Sequence, residues 1–129
     1  MKNTKTVKKA LSDFAKGDIH AVLESLDENV EWINPDAPEL PFSISVNGKN
    51  NVASFFQKMT ETLDISRFEI DNYVEQDSTV VSWGSYDATV RNSGKKFSTP
   101  LIMTWKFNPE GKIVHWQALT NTLAQSKAY

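Results

Sequence analysis

The sequence predicts an α+β fold, with helices packed on one face of a curved, mostly antiparallel sheet. Three observations point there. Apolar residues at helical spacing are confined to the first half of the chain. From Arg67 onward the pattern changes to period two and stays there. Two turn signals, NSGK at 92–95 and NPEGK at 108–112, divide that second half into antiparallel hairpin neighbours. The longest helix is expected across the concave face of the sheet, with a pocket between the two.

The elements follow in order. Val7, Ala10, Leu11 and Phe14 form one apolar stripe, which predicts a helix over 3–16. Gly17 ends it, and Asp18 is placed to N-cap a short second helix whose inner residues are Ile19, Val22, Leu23 and Leu26. Residues 29–34 alternate as a strand, with Val30, Trp32 and Asn34 on one face, and Pro35 stops it by removing a ladder donor. The segment from Asp36 to Asn47 is expected as a loop held by Pro38 and Pro41, with Leu40, Phe42, Ile44 and Val46 folding back over the domain. Val52, Phe55, Phe56, Met59 and Leu63 predict a helix over 50–63, its stripe read first as core packing. Strands are expected over 67–76, 78–92, 96–108 and 112–123.

The totals exclude several classes of function. A chain of 129 residues suggests one domain over 1–129. With 40% hydrophobic and 23% charged residues, the composition is that of a soluble globular protein. The net charge of −2 leaves no basic face for nucleic acid. The four lysines of MKNTKTVKK read as a solvated first helical turn. There are no cysteines, hence no disulfide, thiolate nucleophile or Cys-based zinc site. Two histidines, His20 and His115, have no second ligand at metal spacing, so neither metal nor cofactor is expected. No apolar run approaches the roughly 20 residues that span a bilayer, and no signal peptide is visible, so the expected location is the cytoplasm. Four tryptophans hint at an interior with large flat walls.

The order of these motifs carries a resemblance. DFAKGDIHAVLESLDENVEWINP resembles the opening of the SnoaL-like branch of the nuclear transport factor 2-like superfamily. VNGKNNVASFF is similar to that family's glycine and long helix, and FNPEGKIVHWQALTNTLA to its last hairpin and final strand. The likeness covers nearly the whole chain. It implies a conical barrel wrapped around the long helix (a cystatin-like arrangement), an apolar cavity in the cone, and a homodimer packed sheet on sheet. Members include ketosteroid isomerases, polyketide cyclases, limonene epoxide hydrolases and binding proteins, so fold alone does not choose a function.

The family's catalytic positions are largely replaced. The resemblance implies an isomerase base at Asn34, where an amide cannot take up a proton, and oxyanion donors at Ala10 and Met103, which have none. For epoxide opening it implies a tyrosine and an asparagine at Trp32 and Asn34, an arginine at Ser85, an aspartate at Asp87 and a second aspartate at Asn121. Of these only Asn34 and Asp87 are as implied. Asn121 also counts against cyclase chemistry.

Alternation puts Thr99, Leu101, Met103 and Trp105 on one side of their strand, Trp83, Ser85 and Asp87 on one side of theirs, and Gln117, Leu119 and Asn121 on one side of the last. If these sides point into the cone, they join Trp32, Asn34, Phe56 and Met59 around a cavity whose polar groups are Asn34, Asp87, Gln117 and Asn121. Asp87 would then be its single acid or base, raised by burial. Each has a plainer reading: Asn34 as a cap of the proline turn, Asp87 in water, Asn121 as the cap of a final helical turn at 122–126, and the tryptophans as core. The expected function is binding of a small, mostly apolar molecule. The alternatives are an isomerase, lyase or hydrolase-like enzyme using Asp87, and an accessory role in which the sheet serves to dimerise.

Overall fold

The structure is a computed structural model that describes residues 2–37 and 39–129. Helix α1 (Lys2–Ala15) buries Val7 and Ala10, and Gly17 at φ 79° turns the chain out of it. Asp18 caps α2 (Ile19–Glu24) by accepting from the Ala21 amide at 3.1 Å. Strand β1 (Leu26–Ile33) follows, and the loop after it returns through the short β2 (Val46–Asn47). Helix α3 (Lys49–Thr62) buries Val52, Phe55 and Phe56. The rest is β3 (Leu63–Gln76), β4 (Thr79–Val90), β5 (Lys96–Phe107), β6 (Ile113–Thr120) and α4 (Thr122–Ala128).

The six strands form one sheet in the order β2-β1-β6-β5-β4-β3. All neighbours are antiparallel except β1 and β6, which run parallel. The sheet curves because β3 slips register twice against β4, between Ile65 and Arg67 and between Ile70 and Asn72. Each slip inserts an extra residue and bends the strand. At the second bend the backbones touch: a Cβ on Gly84 would lie 1.8 Å from the Glu69 carbonyl oxygen. Inside the curve lie α1 and α3. Phe14 packs on Phe56 and Phe68 at ring separations of 5.9 and 5.1 Å, and Trp32 packs on Phe55 and Phe56 at 5.9 and 5.7 Å.

The expected α+β architecture is present, with shifted boundaries. β3 begins at Leu63 rather than 67, because Leu63 leaves the helix directly in an extended conformation and pairs with Val90. The last strand stops at Thr120 rather than 123, since Asn121 caps α4 by accepting from the Ala124 amide at 3.1 Å. In the 36–47 loop, Leu40 and Phe42 do fold inward, while Ile44 is exposed. The role expected of Pro38 falls outside the described residues. Among the described residues no helix is long and apolar enough to cross a membrane.

The bend at Gly84 yields a prediction. Gly84→Ala forces two backbones apart, so it should lower stability by about 1–3 kcal/mol, the usual cost of overpacking. Chemical denaturation of the variant against wild type measures it.

Candidate functional site

Between α1, α3, the concave sheet face and α4 is a cavity of about 90 Å³. Its wall is built by alternation on three adjacent strands. On β5 every second residue from Phe97 to Trp105 is buried, which turns Leu101, Met103 and Trp105 inward. Directly paired residues share a face. Leu101 pairs with Gly84 and Thr120, Met103 with Ser82 and Ala118, and Trp105 with Trp116. β4 and β6 therefore turn Tyr86, Trp116, Ala118 and Thr120 into the cavity. β1 adds Trp32, which pairs with Trp116 in parallel register.

The aromatic wall has one unusual feature. Trp32 and Trp116 stack at 4.0 Å with planes 16° apart. Both indole Nε1–H groups are buried, and neither has a hydrogen-bond partner among the described residues. The third cavity tryptophan differs: Trp105 donates from Nε1 to Ser82 Oγ at 2.9 Å. A buried donor without a partner costs about 1–3 kcal/mol, and no other buried side-chain N or O among the described residues is left in that state.

A second polar cluster lies where α4 closes the cone. Gln125 is buried, accepts from Thr120 Oγ1 at its Oε1 (2.7 Å), and donates from Nε2 to Tyr86 Oη (2.8 Å). Burial pushes the Tyr86 phenol up to about 12, so it is a neutral hydroxyl at physiological pH.

Of the residues singled out in the sequence, Trp32, Asn34, Phe56, Met59, Leu101, Met103 and Trp105 line the cavity. So do Ala10 and Met103 as the replaced donor positions. Asn34 does two things at once. It faces the cavity, and its Nδ2 donates to the Ile44 carbonyl at 2.7 Å, clasping the proline loop.

The inward side expected on β4 and β6 is corrected. Trp83, Gln117 and Leu119 are exposed on the outer face of the sheet, paired with Ile102 or Thr104 and not with the inward residues of β5. Asn121 is exposed and occupied as the α4 cap. Asp87 is also outside. Arg67 donates to it from Nε at 2.8 Å and from Nη2 at 3.1 Å, and also to Ser85 Oγ at 2.9 Å. These bonds, then one from Ser98, hold its carboxyl down at about 2. Burial was expected to raise it; a paired, solvent-facing carboxylate behaves in the opposite way. Asp87 has neither the position nor the proton affinity of a cavity acid or base.

The residues missed include Phe14, Phe55, Tyr86, Trp116, Ala118, Thr120 and Gln125. The signal for four of them was hairpin register, since a residue facing an inward β5 position must itself face inward. His115 lies outside the cavity and contacts Glu31 at 2.6 Å. No group of three or more His, Asp or Glu among the described residues could hold a metal ion.

Residues 7–116 match the SnoaL-like domain family. An NTF2-like protein of unknown function from Burkholderia pseudomallei superposes with a TM-score of 0.91 at 22% identity, over 99% of this chain and 97% of that one. A provisionally named polyketide cyclase from Xanthomonas campestris gives 0.85 at 18%, over 98% and 96%. A provisionally named isomerase from Bacillus subtilis gives 0.81 at 23%, over 98% and 91%. At these identities the likeness concerns the fold. No curated protein matches the chain.

The placement of Asp87 gives a pH prediction. A carboxylate whose folded pKa is depressed adds stability that is complete above its unfolded value and is lost as pH falls through the folded one. The window therefore runs from about pH 4 down to about 2. Asp87→Asn should be less stable than wild type at neutral pH, and the gap should close across that window in thermal melts.

Proposed function

We propose, from the premise that this chain belongs to the SnoaL-like family, that its cone binds a small, uncharged, mostly apolar molecule. The observation that carries this reading is the cavity wall. Its two stacked indoles hold the only unpartnered buried side-chain polar atoms among the described residues. The rest of the lining is almost wholly apolar, and neither Lys, Arg, Asp, Glu nor His belongs to it. An apolar cavity of this kind favours an apolar guest over water. At about 90 Å³ it is smaller than the ~300 Å³ at the low end of drug-sized sites, so the guest is compact. Met59 and Met103, flexible and polarizable, let the wall adapt to guests of somewhat different shape.

Turnover through Asp87 loses its support, because that carboxylate is on the far side of the sheet and paired with Arg67. The likeness to neighbours named polyketide cyclase and isomerase is one of fold, and fold alone does not choose a function.

A second copy of the chain is the proposed partner. Trp83, Ile102 and Leu119 are exposed and face one another in register across β4, β5 and β6. A straight apolar row on a sheet face is the self-complementary surface that a two-fold dimer uses. Ile102→Asp puts a charge at its centre and should convert a dimer to monomer in sedimentation velocity. A wild type that sediments as a monomer at high concentration would refute the pairing.

Guest binding is tested with 2-methyl-1-butene, a compact neutral hydrocarbon. It should raise the melting temperature and change the tryptophan fluorescence of the wild type. Ala118→Leu and Ala10→Leu fill the cavity from opposite walls, and each folded variant should bind at least about tenfold more weakly, the loss of roughly 1.4 kcal/mol. A wild type that ignores the probe, or filled variants that bind it unchanged, overturns the reading.

A further inference from the structure

The Thr120–Gln125–Tyr86 cluster goes beyond simple apolar binding. We propose that the Tyr86 hydroxyl is the docking point for an uncharged carbonyl oxygen on the guest, held as a donor by Gln125. The proposal rests on the cavity-binding reading and names the chemical class of guest that it selects.

The argument runs along the hydrogen bonds. A tyrosine hydroxyl has one proton to give and lone pairs to receive. Gln125 Nε2 donates to Tyr86 Oη at 2.8 Å, so one lone pair is already used. In this orientation Gln125 Oε1 accepts from Thr120 Oγ1 at 2.7 Å. Gln125 is 1% exposed, and Tyr86 is 7% exposed. The Tyr86 proton has no acceptor among the protein hydrogen bonds at this cluster. All three side chains line the cavity. An accepted bond polarises the hydroxyl and strengthens the one it gives.

The alternative guests fail on charge. A carboxylate or phosphate brought into this lining would meet no cation, and desolvating an unpaired charge is costly. A hydrocarbon leaves the phenol proton unused. A ketone, aldehyde or quinone-type carbonyl supplies an acceptor without bringing charge. Tyr86 is then a specificity-determining residue and Gln125 a positioning residue.

Butanone and 2-methyl-1-butene have nearly the same shape and differ in C=O against C=CH₂. Their affinities are measured by thermal shift and fluorescence titration on wild type, Tyr86→Phe and Gln125→Glu. Tyr86→Phe should weaken butanone by roughly three- to tenfold more than it weakens 2-methyl-1-butene, the range of one neutral hydrogen bond. Gln125→Glu supplies an acceptor that takes the Tyr86 proton and should reproduce that selective loss. The carbonyl stretch of bound butanone should lie lower in wild type than in Tyr86→Phe. If butanone binds Tyr86→Phe as well as wild type with an unshifted carbonyl band, the inference falls while cavity binding stands. That result would also follow from the reverse orientation of the Gln125 amide, which commits the Tyr86 proton to Oε1. If neither probe binds wild type, the cavity reading falls and takes this one with it.

Discussion

Across the bend of the sheet, Gly84 and Glu69 sit so close that any side chain at 84 would occupy the position of a carbonyl oxygen. Everything inside the cone follows from that contact. A flat sheet would let α3 lie flush against β4 and β5 and close the interior with side chains. The bend, with its two register slips in β3, instead wraps the sheet around α1 and α3. The strands then present aromatic residues to a space too wide for them to fill completely. Packed interiors leave few voids larger than a water, so a cavity in the centre of such a wall is a consequence of the curvature.

The same curvature explains why so much of the fold was legible and part of the site was not. Helical spacing over 7–14 and 52–59 reports burial on one side only, and those stripes fall where expected. The alternation on β5 was legible too, because its outward positions include Lys96, Ser98 and Lys106. On β4 both faces are mixed. Trp83 lies on one and Tyr86 on the other, and the outer face is itself partly apolar, so hydropathy cannot set the phase. Register sets it. Residues 91–94 separate the paired Val90 and Lys95, which makes residues of opposite parity face one another. For β6 the phase depends on a slip between Lys106 and Phe107, and no residue type in that stretch announces it. A one-residue error in register moves every side chain to the other face. Trp83, Asp87, Gln117 and Leu119 were therefore misplaced together, and Tyr86, Trp116 and Thr120 missed together.

Asn34 shows why a binary choice between capping and lining was the wrong question. Its position is set by Pro35, which ends the strand, and by the loop that returns to pair β2 with β1. The amide donates across that loop to Ile44, while the Asn34 backbone N–H donates to Ser45 Oγ at 3.3 Å. Ser43 ties the other side by donating to the Pro35 carbonyl at 2.9 Å. This places Phe42 and Pro35 against the cavity. A carboxylate at 34 would have no proton to offer Ile44 at neutral pH, so the clasp depends on the amide. The residue at the position where the resemblance implies a base is thus one that holds the loop against the cavity.

Polar chemistry in the cavity is directional. Tyr86 has one lone pair engaged by Gln125, so its proton is the part left to give. The Trp105 N–H is already satisfied by Ser82 within the wall, and those of Trp32 and Trp116 are fully buried. Donors without a counter-charge discriminate by what they leave unpaired. A guest lacking an acceptor strands them, and a guest bearing a charge loses its hydration without gaining a partner. Neutral acceptors suffer neither penalty. The high pKa of Tyr86 keeps the hydroxyl protonated across the physiological range, so the proposed selectivity would not vary with pH as that of a carboxylate or imidazole would. On the proposed reading, specificity would follow from the orientation of one amide on a seven-residue terminal helix, which gives that short element a role beyond core packing.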